Sequence, residues 1–217
     1  MVYSELHELP RMFQIWACKQ VMGVASTNLY QYKYRPNHDP KCPSCIRCVE
    51  SCSHVLEFQE EGRVETLLGT INFLEIWMKK IGTDKGLQNC LVRYAKGRGA
   101  ITMKYIVGNR THRLYPLAQP QDLICWRRFM EGMISKEITG IQKSYLSLSS
   151  YHLSIERWMT GLITKFLEVT HGQWLYRNVH VHDSISGTTP TLRKEEIQTE
   201  IEKQQELGTD SLEEGDE

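Results

Sequence analysis

Apolar residues recur along this chain at the spacing that predicts α-helices. Between residues 51 and 80 they return every three or four positions, which is the period of an amphipathic helix, until Gly82 ends the pattern. We predict one or two helices there and an earlier helix within residues 10–30. Asp84 offers an N-cap for a further helix that continues to Lys96.

The second half of the chain contains two long segments with the same helical period. The first begins at Gln121 and continues to about Leu148, and the second runs from Leu153 to about Val181. Residues 100–120 are ambiguous between helix and connection. Helices of this length with apolar faces have enough surface to pack on one another.

A cluster of metal-ligating residues interrupts the helical pattern. Four of the seven cysteines and a histidine lie between Cys42 and His54. Cys42 and Cys45 form a C-x2-C pair, and Ser51 is an N-cap that would place His54 in the first turn of a helix. Thiolates and imidazole at this spacing suit a tetrahedral Zn²⁺, so we predict a knuckle loop (residues 41–50) that binds metal. Cysteines that serve only as small buried apolar side chains are the alternative.

The fourth ligand of such a site is open to two interpretations. The residue one helical turn after His54 is Phe58, which cannot bind a metal, so Cys48 or Cys52 must complete a set of four. Residues two apart on a helix point in different directions, which makes Cys48, in the loop, the better partner. The predicted ligands of a structural Zn²⁺ are therefore Cys42, Cys45, Cys48 and His54.

The zero net charge of the chain hides a strong asymmetry. Residues 195–217 carry ten acidic residues against one basic residue, whereas residues 1–194 carry 25 basic against 16 acidic. Residues 184–217 contain few large apolar groups, and we expect a largely disordered acidic tail there. The predicted fold is a mostly α helical domain with a small Cys/His metal-knuckle loop in its N-terminal half. We divide it into a knuckle-bearing region, residues 1–115, and a long-helix region, residues 116–183, that packs on it.

The cysteine usage and the hydropathy of the chain favour an intracellular protein. No run approaches the eighteen apolar residues of a membrane span, and the N-terminus lacks the basic-then-apolar pattern of a signal peptide. Seven cysteines are an odd number and are mostly clustered, which favours a metal site in a reducing compartment over a disulfide framework. We expect a nuclear or cytoplasmic protein without a membrane partner.

A run of basic residues around Gly97 and Gly99 could contact phosphate groups. A basic body with an acidic tail is typical of nucleic-acid binders whose tail competes for the same surface. We predict RNA or DNA as the partner, and a solvated basic loop is the alternative. The predicted contact residues are Arg93, Lys96, Arg98, Lys104, Arg110 and Arg113.

The knuckle motif resembles the zinc-knuckle region that follows the polymerase in reverse transcriptases of non-LTR retrotransposons. The elements Cys42-Pro-Ser-Cys45 and Glu50-Ser-x-x-His54, followed by a helical segment, are similar to that region. The chain departs from the family at Phe58, where the family has a cysteine.

The resemblance continues downstream and covers roughly residues 10–183. The segment Gln121-Asp-Leu-Ile-Cys-Trp126 is similar to the helix that follows in those proteins. Trp174-x-x-Arg177-Asn178, with a histidine beyond it at His180 or His182, is similar to their C-terminal signature. From the residues alone, we interpret Arg177 as an internally hydrogen-bonded side chain.

The resemblance implies a protein without catalytic residues. Reverse transcription needs two close carboxylates that hold metal ions, but the chain has no Asp-Asp pair and its six aspartates are scattered. We therefore expect a retrotransposon-derived, non-catalytic zinc-knuckle protein that binds nucleic acid. Two alternatives stay open: a helical protein-interaction module, and a decayed element fragment with no selected function, which Phe58 favours.

Overall fold

The computed structural model describes residues 9–149 and 153–186, together with Thr199 and Glu202. The predicted mostly helical fold is confirmed. In these residues the only β-pairing is one antiparallel bridge, between Lys41 and Val49. The described helices are α1 (Arg11–Val21), α2 (Asn28–Tyr34), α3 (Cys52–Glu57), α4 (Glu61–Lys80), α5 (Lys85–Lys96), α6 (Met103–Val107), α7 (Tyr115–Ile124), α8 (Trp126–Met130), α9 (Lys136–Leu148) and α10 (Ile155–Ser186).

The N-caps predicted from the sequence form as expected. Ser51 Oγ accepts a hydrogen bond from the backbone N–H of His54 at 3.1 Å, and the Asp84 carboxylate accepts one from Leu87 at 2.8 Å. The apolar pattern between residues 51 and 80 resolves into two helices, α3 and α4, because the backbone at Phe58 is extended. The ambiguous stretch of residues 100–120 contains α6 and the beginning of α7.

The prediction of one continuous helix from Gln121 to Leu148 is wrong. The chain turns twice, at Cys125 with φ of 69° and at Gly132 with φ of 86°, and forms α7, α8 and α9 instead. The side chain of Gln121 stabilises this path: its carbonyl accepts from the Ser135 N–H at 3.0 Å, and its amide donates to a backbone carbonyl. Hydrogen bonds between residues distant in sequence therefore override the helical period of this segment.

One hydrophobic core extends through both halves of the described chain. It joins apolar residues of α4 and α5 to those of α8 and α10, with Trp158, Phe129 and Phe166 fully buried. Helix α10 packs closely along α4 at Gly161, where an added Cβ would lie 2.4 Å from the Trp77 ring. The predicted regions 1–115 and 116–183 therefore share a core.

A smaller apolar cluster holds α3 against the rest of the fold. It joins α1, α3 and α10, and its buried members are Phe13, Trp16, Ala17, Ala25, Cys52, Val55, Leu167 and Trp174. Because α3 carries His54, this cluster positions one predicted metal ligand against α10.

Two further predictions concern the membrane and the tail. None of the described helices combines the length and apolar character that a membrane crossing requires. Helix α10 includes residues 184–186 of the predicted acidic tail, and the rest of the tail, apart from Thr199 and Glu202, lies outside the described residues.

A candidate metal centre of two thiols and an imidazole

Three of the four predicted metal ligands come together in the structure. The thiols of Cys42 and Cys45 and an imidazole nitrogen of His54 all lie within 4.8 Å of one another. Cys45 Sγ is 3.5 Å from His54 Nε2. Zn–S bonds of about 2.3 Å and Zn–N bonds of about 2.05 Å place sulfur and nitrogen about 3.5 Å apart in a tetrahedral site. The group can therefore hold a metal ion.

The backbone of the knuckle loop fixes the two thiols. The N–H of Cys42 donates to the carbonyl of Cys48 at 2.8 Å, and the N–H of Glu50 donates to Pro40 at 2.8 Å, which closes the loop. The N–H of Cys48 donates to Cys45 Sγ at 3.4 Å. Backbone N–H groups directed at sulfur stabilise a thiolate, which is the form of cysteine that binds a metal cation.

The electrostatic environment differs between the three groups. Burial raises the pKa of Cys42, although backbone N–H groups oppose it. At Cys45 burial acts in the same direction, but the N–H groups of Cys48 and Arg47 and the neighbouring thiols outweigh it, so the pKa of Cys45 is lowered. Burial and the nearby guanidinium of Arg63 lower the pKa of His54. Neutral imidazole is the form that binds metal.

The structure does not complete the predicted set of four ligands. The thiol of Cys48 does not lie within 4.8 Å of all three other ligand atoms, and its side chain is exposed. Cys52, the alternative, is buried in the smaller apolar cluster, where burial raises its pKa. The Phe58 ring stacks on the His54 imidazole with centroids 5.1 Å apart. Cys52 is therefore an apolar core residue, which leaves Cys48 as the candidate for a fourth ligand.

A buried ion pair attaches the knuckle loop to the last helix. The Glu50 carboxylate is fully buried and accepts hydrogen bonds from Arg177 Nε at 3.0 Å and from Arg177 Nη2. It also accepts from the backbone N–H of Asn28 at 2.8 Å, and Arg177 lies over the Trp174 ring at 5.2 Å. The interpretation of Arg177 as internally hydrogen-bonded is confirmed. Its partner Glu50 belongs to the Glu50-Ser-x-x-His54 element, but nothing local in the sequence indicates that it pairs with Arg177.

A second buried arginine, Arg63, contacts the knuckle loop and was missed in the sequence. Its side chain is fully buried, and it donates to the Val55 carbonyl at 3.1 Å and to Ser44 Oγ at 3.3 Å. Its guanidinium carbon lies 5.6 Å from the centre of the Phe58 ring and 5.9 Å from that of Tyr176. An arginine in the first turn of a helix is usually solvated, so no sequence pattern predicts this position.

Three of the six predicted phosphate-contacting residues are buried or held in ion pairs. Arg98 is 8% exposed and donates from Nη2 to the carbonyls of Leu56 and Phe58, at 2.7 Å each, so it does not belong to an exposed basic surface. Lys96 pairs with Glu75 at 3.8 Å, and Arg113 pairs with Asp84 at 2.5 Å. The remaining exposed members are Arg93, Lys104 and Arg110.

Comparison with known proteins supplies no family for this chain. No protein-family model, no curated protein and no solved structure matches it. Within the described residues, Cys42, Cys45 and His54 form the one group of three or more potential ligands. The metal group and its attachment to α10 are therefore the features on which a functional proposal can rest.

Proposed function

We propose that this chain is a non-catalytic, zinc-stabilised helical protein that binds nucleic acid, derived from the C-terminal region of a retrotransposon reverse transcriptase. The observation that carries the proposal is the convergence of two thiols and an imidazole within 4.8 Å on a loop anchored to α10. Two sulfur donors and one nitrogen donor favour Zn²⁺ over the oxygen-seeking Mg²⁺ and Ca²⁺.

The role of the metal in this proposal is structural. Few side chains between residues 36 and 50 are buried, so the loop contributes little to either hydrophobic cluster. A metal that joins Cys42 and Cys45 to His54 links the loop to α3. Structural zinc supplies folding free energy to segments that lack a core of their own.

Two exposed basic surfaces support nucleic acid as the partner. The first, the helix surface, consists of Arg93, Lys104 and Arg110, the exposed remainder of the set predicted from the sequence. The second, the knuckle surface, carries the exposed cations Lys33, Arg35, Lys41 and Arg47.

Aromatic side chains distinguish the knuckle surface from the helix surface. Tyr34 is 71% exposed, and its ring centroid lies 5.1 Å from that of Tyr30. Hydrogen bonds from Asn28 to the Lys41 carbonyl at 2.7 Å and from Leu29 to Glu50 place α2 beside the knuckle loop. Exposed aromatic faces next to cations suit single-stranded nucleic acid, whose bases stack on them. We therefore favour the knuckle surface and a single-stranded ligand.

The test is an affinity measurement against single- and double-stranded RNA and DNA at two salt concentrations. Affinity should fall steeply with salt because each neutralised phosphate releases counterions. The triple change Lys33→Gln, Arg35→Gln and Arg47→Gln should weaken binding more than the matched change of Arg93, Lys104 and Arg110. A salt-insensitive or undetectable interaction would overturn the proposal.

The acidic tail provides a second test of the same proposal. Deleting residues 195–217, which carry ten of the acidic residues, should tighten binding because a tethered anion competes at high effective concentration. Equal affinity before and after the deletion would show that the tail does not compete for this surface.

One observation favours a helical protein-interaction module as the second candidate. Helix α4 exposes Leu68, Phe73 and Ile76 to solvent at 44%, 48% and 55%. Exposed large apolar residues along one helix are typical of a surface that a partner protein covers. The double change Phe73→Ser and Ile76→Ser would then abolish association with a partner protein, and the wild-type chain would show no nucleic-acid affinity.

A further inference from the structure

The guanidinium of Arg63 is a buried cation next to the candidate metal centre. Its hydrogen-bond acceptors are the Val55 carbonyl and the hydroxyl of Ser44, which lies between the two metal-ligating cysteines in sequence. Within the part of the chain that the structure describes, its Nε is buried without a hydrogen-bond partner. Among the described residues, no carboxylate lies within ion-pair distance of this arginine. A buried charge without a close counter-ion is unfavourable.

Two carboxylates act electrostatically on Arg63, and each has another hydrogen-bond partner. Glu50 is held at both carboxylate oxygens by Arg177. Glu60 accepts hydrogen bonds from the Tyr176 hydroxyl at 3.0 and 3.2 Å. Burial lowers the pKa of Arg63, whereas Cys42 and both carboxylates act in the opposite direction and favour its charged form. Glu60 keeps its negative charge in these hydrogen bonds because the phenol is neutral, so the metal centre is a second source of negative charge near Arg63, on the side of the knuckle loop.

The charge of the loaded centre depends on its fourth ligand. A divalent metal with the thiolates of Cys42 and Cys45 and a neutral His54 has no net charge, so it does not attract the guanidinium of Arg63. A further anionic ligand gives the centre one negative charge, which attracts the guanidinium. Arg63 therefore favours an anion over water at the fourth position.

We propose that Arg63 selects an anionic fourth ligand for this metal centre, and that the thiolate of Cys48 supplies it. The inference rests on the proposed metal-binding function. The backbone of Cys48 is already fixed between the other two cysteines, since its carbonyl accepts from Cys42 and its N–H donates to Cys45 Sγ. Its side chain is exposed, so rotation about χ1 can bring the thiol to the metal without moving the loop. The thiol proton passes to solvent when the bond to the metal forms.

The experiment is Co²⁺ titration of the full chain in competition with a chelator, with the thiolate-to-metal absorbance recorded. Arg63→Met removes the charge and retains the apolar contacts, and it should weaken Co²⁺ affinity about tenfold or more. Arg63→Lys retains the charge and should recover most of the loss. Cys48→Ser should lower the absorbance per bound Co²⁺ by about a third, because two thiolates replace three.

Arg98→Met is the matched control. Arg98 is also buried and donates to carbonyls at the end of α3, but its contacts are with Leu56 and Phe58 and not with the knuckle loop. It should reduce stability and leave Co²⁺ affinity unchanged. Affinity unchanged in Arg63→Met, or absorbance unchanged in Cys48→Ser, overturns the inference. No Co²⁺ binding by the wild-type chain overturns the metal function itself, and the inference with it.

Discussion

Glu50 and Arg177 are 127 residues apart in the chain and form a buried ion pair in which both carboxylate oxygens accept from the same guanidinium. The pair joins the knuckle loop to α10, the helix that packs on α4 and forms part of the main core. Asn28 adds a third partner, since its N–H donates to Glu50 and its side-chain oxygen accepts from Arg177 at 3.1 Å. The position of the candidate metal centre is thereby coupled to the core.

Breaking this pair from one side should destabilise the protein strongly. Glu50→Gln leaves the Arg177 charge buried without a counter-ion, and we expect the free energy of unfolding to fall by about 3–5 kcal/mol. Urea denaturation of the metal-loaded protein measures the change. The double variant Glu50→Gln with Arg177→Met should lose less than the sum of the two single changes. Additive losses would contradict a direct coupling.

Removal of the metal should loosen residues 36–60 and leave the second half folded. The loop contributes little to the cores, whereas Trp158 and Phe166 are fully buried in the main cluster. Hydrogen exchange with and without chelator should show lost protection in the loop and α3 alone. Loss of protection throughout α10 would instead mean that the metal is required for the whole fold.

Replacing Ile46 by glycine should stabilise the knuckle loop. Ile46 has φ of 60°, a left-handed conformation that is strained for a β-branched residue, and its side chain is 70% exposed. Glycine relieves this strain but loses more conformational entropy on folding. The net effect should raise the free energy of unfolding by about 1 kcal/mol. Thermal denaturation measures the gain. Val49→Gly is the control. Val49 lies in the regular bridge to Lys41, so this variant should have a lower free energy of unfolding than the wild-type protein.

Cys90 should be unreactive in the native protein at neutral pH. Burial raises its pKa to about 12, so only on the order of one molecule in ten thousand carries the thiolate at pH 8. Exposed Cys18 and Cys125 should be alkylated first, and the rate at Cys90 should rise about tenfold per pH unit below its pKa. Mass spectrometry of the labelled chain follows each site. Equal labelling of Cys90 and Cys18 in folded protein would refute the burial of this thiol.

Local spacing in the sequence determined the helical character, the N-caps and the metal group. Ser51 and Asp84 form the expected caps because a cap depends only on residues within one turn. Cys42, Cys45 and His54 converge for a similar reason: a short loop and the first turn of a helix fix their separation. Interactions of this range are encoded in neighbouring residues, so they could be predicted without the fold.

Contacts between distant residues decided the rest. The helix expected from Gln121 to Leu148 is divided by turns at Cys125 and Gly132. The buried hydrogen bond between the Ser135 N–H and the Gln121 side chain stabilises this path. Arg98 is a second example. The sequence predicts an exposed basic residue, but in the fold its guanidinium is buried against the end of α3, where it donates to carbonyls some forty positions earlier in the chain. The pairing of Glu50 with Arg177 likewise required the fold. The charge of a residue and its place in the helical period can be read from the sequence. Its burial and its ion pairs depend on which distant groups the packing of the helices brings next to that residue.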